Sequence, residues 1–155
     1  MKYYFCQIIL LLFFNISFGQ KNSVLVGNWK VFAAYNDTFY FNFKTDSNWI
    51  SSSLKINLDT ITQAGYINRA KEIYGNFYFY FDNKGNFSHC INLVSDIRGR
   101  YADHPTFNEV ELITVEKPAG TIVIDPVTYY IKDGLLYFSF FWIHQRINLI
   151  AEKSQ

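Results

Sequence analysis

Between Thr38 and Lys44 every second residue is a phenylalanine: Phe39, Phe41 and Phe43 fall on one side of the chain, Thr38, Tyr40, Asn42 and Lys44 on the other. A period of two cannot keep one face of a helix apolar, but it gives a β-strand one dry face and one wet face. The alternation recurs in Leu54, Ile56 and Leu58 against Lys55, Asn57 and Asp59, and in Trp29, Val31, Ala33 and Tyr35 against Asn28 and Lys30. Half-buried strands are therefore the expected building unit.

Short turn sequences join these strands. Asn36-Asp37 separates the first two, Asp82-Asn83-Lys84-Gly85 follows Phe77 to Phe81, Lys132-Asp133-Gly134 precedes Leu135 to Trp142, and Lys117-Pro118-Ala119-Gly120 breaks another pair. Turns this short connect antiparallel neighbours. Pro126 marks an edge or a bulge, because proline cannot donate to a ladder. Candidate strands are 24–35, 38–44, 53–59, 76–82, 86–94, 109–116, 121–131, 135–142 and 145–151. Eight or nine antiparallel strands suit an all-β, up-and-down barrel. Residues 64–74 instead place Tyr66, Ala70, Ile73 and Tyr74 at helical spacing with Gly75 as a stop, predicting one short helix. The polar stretch Ser95 to Asn108 reads as a long connection of the kind that often carries function.

The amino terminus reads as an export signal over residues 1–19: Lys2 supplies the charge, Ile8 to Phe14 the apolar core, and Ser17 and Gly19 the small residues before cleavage. Gln7, Asn15 and Ser17 interrupt the ~20 apolar residues that a spanning helix needs. Cys6 precedes the apolar core, so a lipid anchor after cleavage has no cysteine to use. An extracytoplasmic protein, periplasmic or secreted and not inserted in the membrane, is expected. Taking residues 1–19 from the 155 leaves 136, suited to one domain over 20–155. The signal removes one of 14 basic residues and leaves 13 against 13 acidic. A chain without net charge lacks the positive field that nucleic acid demands. Cys90 is then the one remaining cysteine, either buried or available to link two chains.

Three segments together resemble the bacterial lipocalin-like domains, a calycin-type barrel family: Gly27-Asn28-Trp29-Lys30 opening the first strand, Phe-Tyr-Phe-Asp-Asn-Lys-Gly-Asn-Phe at 79–87, and a late Leu-Leu-Tyr-Phe strand answered by a basic last strand. The resemblance spans nearly all of the mature chain, without the family's Thr-Asp-Tyr type turn. It implies that Gly27 and Trp29 close one end of the barrel, with Arg146 lying over the indole and Lys153 as the other candidate cation.

No nucleophile elbow, phosphate-cradling glycine loop or dinucleotide fingerprint appears, and His89, His104 and His144 have no metal-ligand spacing. Neither an enzyme, a metal nor a cofactor is expected, and His89, sharing a face with Phe87 and Ile91, reads as a core residue. An eight-stranded barrel either fills with side chains or holds one small ligand. The inward set Phe39, Phe41, Phe43, Phe77, Phe79, Phe81, Phe138 and Phe140 argues for a small pocket that takes apolar or ring-bearing molecules. Phe79 within it, Trp49 and Tyr101 at a rim, and Arg98 and Arg100 facing an anionic group are the candidate ligand-binding residues. The alternative is a filled barrel whose exposed Tyr40, Tyr78, Tyr80 and Tyr137 contact protein or glycan.

Overall fold

The computed structural model describes residues 23–56, 59–91, 95–116, 119–142 and 145–154. The expected export signal, Pro118, His144 and the end of the candidate strand 53–59 lie wholly or partly outside these residues. No described helix is long and apolar enough to cross a membrane.

The strands are β1 (Gly27–Tyr35), β2 (Phe39–Asn42), β3 (Ser47–Ile50), β4 (Tyr78–Phe81), β5 (Asn86–Ile91), β6 (Ser95–His104), β7 (Glu109–Glu116), β8 (Thr121–Lys132), β9 (Leu135–Trp142) and β10 (Gln145–Ser154). Helices α1 (Ser52–Ile56) and α2 (Thr60–Tyr74) stand between β3 and β4. All neighbours are antiparallel, β4 through β10 follow in chain order, and β10 returns to pair with β1, closing an eight-stranded barrel. On its other side β1 has two partners: Gly27–Lys30 pairs with β4 and Ala33–Tyr35 with β2. The β2–β3 hairpin is thus an appendage at one end of a closed wall.

The register of β1 shifts between Val31 and Ala33, a bulge that moves Ala34 into the core cluster with Trp29 and Val31. Simple alternation had placed Ala33 and Tyr35 on that face.

Two stretches adopt a different form from the one expected. Residues expected as the strand 53–59 begin in helix α1, because Ser51 caps it: its Oγ accepts from Leu54 N at 3.3 Å and its carbonyl from Lys55 N at 3.0 Å. The stretch expected as a polar connection is strand β6, whose inward side carries Ile97, Gly99, Tyr101 and Asp103, too little apolar surface to announce a strand. The helix expected over 64–74 starts four residues earlier, where Asp59 accepts from Thr62 N at 2.7 Å.

Helix α2 packs Tyr66, Ala70 and Tyr74 against Phe39 and Phe41 of β2. The core continues down the barrel through Phe77, Phe79, Phe81, Phe87, Tyr101 and Phe138. Ring pairs 4.6–6.4 Å apart bridge the strands, including Phe79–Phe138 and an edge-on Phe81–Tyr101.

Candidate functional site

One end of the barrel is shut. Ser23 to Val26 folds under it, with Leu25 fully buried and its carbonyl accepting from Trp29 Nε1 at 2.6 Å. Trp29 is buried, and the cation above its ring is Lys153, with Nζ 5.2 Å from the centroid. This corrects the assignment of Arg146, which lies over Phe141 with its guanidinium carbon 5.4 Å from that ring. Lys153 pairs directly with Trp29 across β1–β10, whereas Arg146 pairs with Phe141 on β9, near the other end of β10. Gly27 takes φ +133°, and a Cβ there would stand 2.7 Å from Lys153 Cε. Beside this stopper, Asp103 accepts from the Tyr129 hydroxyl at 2.5 Å and the Ser23 hydroxyl at 2.6 Å. Burial, reinforced by the Asp103 hydrogen bond and its charge, holds the Tyr129 phenol far above its ordinary pKa.

Towards the other end lies a cavity of about 720 Å³, walled entirely by β4 to β9 and the residue before β4. Its floor is aromatic. Phe77, Phe79 and Phe87 surround His89, whose ring lies 5.8 Å from Phe77 and 6.0 Å from Phe87, nearly parallel to both, and Phe140 stands 6.3 Å from Phe77. Leu112, Val123 and Val127 supply aliphatic surface, while Thr114, Glu116, Asp125 and Arg98 bring polar atoms. Such a lining removes an apolar molecule from water and offers a few groups to orient it. Among the described residues no three His, Cys, Asp or Glu side chains gather as a metal site requires.

Two ladders end beside this cavity. The β6–β7 pairs begin at Arg100–Ile113, and the β8–β9 pairs stop at Thr128–Ser139. Beyond these points β7 and β8 pair only with each other, through Thr114–Val123, Val115–Ile122 and Glu116–Thr121. Gly99 and Pro126 stand where the ladders fail. Pro126 has no N–H to give to β9, and at Gly99 a Cβ would meet the Ile113 carbonyl at 2.2 Å.

The expected ligand residues separate. Phe79 and Arg98 line the cavity. Arg100 points elsewhere, donating to Asn86 Oδ1 at 3.2 Å. Tyr101 is not at a rim: it is buried in the closed half, its hydroxyl donating to the Asp82 carbonyl at 2.8 Å. Trp49 is 50% exposed on β3, opposite Tyr40, and does not reach the cavity lining. Leu112, Thr114, Glu116 and Asp125 were missed. A signal existed in the alternation of Val110, Leu112, Thr114 and Glu116, which sends Thr114 and Glu116 inward with the two aliphatic residues.

No family model and no curated protein matches the sequence. Among solved structures, the chain is similar to the crystal structure of a DUF4847 family protein from Bacteroides vulgatus ATCC 8482, with a TM-score of 0.51 at 16% identity, covering 84% of this chain and 96% of that one. At that identity the likeness is one of fold alone, a closed antiparallel barrel.

Proposed function

We propose that this chain is an exported, lipocalin-like binding protein that holds a small apolar or ring-bearing molecule in its cup without transforming it. The carrying observation is the cavity of about 720 Å³ over an aromatic floor, at the opposite end from the Trp29 stopper. That volume lies within the roughly 300–1,000 Å³ of sites for drug-sized molecules. The Gly-x-Trp opening and the apolar leader support the family and the export in this reading. A second reading, contact through the outer wall, draws on a groove of about 210 Å³ beside Tyr35, where Tyr130 and Tyr137 stack at 4.4 Å.

Titration with Nile red, a neutral dye that brightens when it leaves water, tests the cup. Saturable binding by the wild type is expected, together with an affinity loss of about tenfold or more in Thr114→Trp, where the indole occupies the cavity. The thermal midpoint of Thr114→Trp should stay close to that of the wild type, because Thr114 is only partly buried. A dye that ignores the wild type, or binds Thr114→Trp equally well, rules the cup out.

A further inference from the structure

We infer that the cup is loaded through its wall, by a slot between β8 and β9 at Pro126, rather than past the barrel end opposite Trp29; this rests on the cup being a binding site. The cavity is lined on both strands by residues of opposite orientation: inward Val127 and Phe140, and outward Pro126 and Phe141. Adjacent residues of one strand face opposite sides of a sheet, so a lining that takes both from two facing strands follows a passage between them. The last pair, Thr128–Ser139, marks where that passage starts.

The lips of the slot are largely apolar, with the Arg146 guanidinium over the Phe141 ring as their one described cation. Phe141 is 72% exposed, and Ile124 and Ile122 on the facing strand are 53% and 65% exposed. A ligand moving from these residues past Pro126 to Phe140 and Phe77 crosses mostly apolar surface, with the Asp125 carboxyl beside its path. Across the hairpin, the corresponding gap between β6 and β7 is lined by two ionisable residues, Arg98 and Glu116, as well as Val115, against Asp125 alone in the cavity lining on the β8–β9 side. The α2 side of the barrel contributes no residue to the cavity and is filled by Phe39, Phe41, Tyr66 and Tyr74. The slot favours slim molecules, flat rings or single chains that pass edgewise between two strands.

Continuing the β8–β9 register sets Pro126 opposite Phe141. In a Cys90→Ala background, Pro126→Cys with Phe141→Cys can be bridged by a short bis-methanethiosulfonate, verified by mass, and released by reductant. Bridging is expected to slow Nile red association at least tenfold in stopped flow, with recovery on reduction. A separate Pro126→Val variant, which restores the missing N–H, should also slow association. Association unchanged by the bridge overturns the inference. So does slowing by an Arg98→Cys/Val115→Cys bridge across the other gap when the β8–β9 bridge has no effect. If the unbridged protein fails to bind the dye, the cup reading falls and takes the slot with it. Binding that is tight but indifferent to the bridge leaves the cup intact and removes the slot alone.

Discussion

Gly27 and Lys153 show how one position can be fixed by two demands. A side chain at Gly27 would have to accept φ +133° and also displace the Lys153 methylenes that lie over Trp29. Gly27→Ala should therefore destabilise the fold by about 1–3 kcal/mol, the usual range for a residue held in such a backbone region, measured by urea unfolding. Lys153→Met should change the near-ultraviolet dichroism of Trp29, while Arg146→Met leaves it alone. The reverse result would return the indole to Arg146. The cation–π attraction itself is worth about 0.5–2 kcal/mol depending on its hydration.

At the scale of elements, α2 depends on its cap more than on its own pattern. Ile61 near its start is 84% exposed, and the buried residues cluster later around Ala70. Asp59→Ala should fray the first turn, seen as faster hydrogen exchange at the Thr62 and Gln63 amides, with the turn around Ala70 still protected. The Thr62 amide and hydroxyl hold the Asp59 carboxyl below its ordinary pKa. The cap is therefore fully formed above the ordinary carboxylate range and is lost as pH falls through the lowered value. Strand existence was legible wherever one face was richly apolar, as in Phe39–Phe41 and Phe77–Phe81. It was hidden in β6, where Gly99 and Asp103 take inward positions, and inverted in α1, where serine capping outweighs the alternation of Leu54 and Ile56. The cup was less legible than the barrel. Alternation says which residues point inward, but whether inward rings meet or stand apart depends on where ladders end, and only Pro126 hinted at that.

For the whole molecule, Asp103 ties the closed end together by holding Tyr129 of β8 and Ser23 of the leading segment. The Tyr129 phenol has its pKa raised above the ordinary value of 10.0. The folded state thus binds that proton more tightly than the unfolded state. The stability so gained is complete below about pH 10 and drains away as pH rises from there through the folded value. Tyr129→Phe should flatten this alkaline loss, measured as unfolding free energy between about pH 9 and 11.5. An unchanged slope would assign the loss to other phenols such as Tyr101 or Tyr74, whose pKa values burial also raises.

A cylinder whose last strand meets its first keeps few flanks from which polymerisation can begin: the outer edges of the β7–β8 hairpin beyond its last ladder pairs, and the β2–β3 appendage. The strand order ends on β3, four residues long and opening with Ser47 and Asn48. So brief a margin offers an incoming foreign strand few amide–carbonyl bonds, which disfavours fibre growth along this flank even though Trp49 stands half exposed on it.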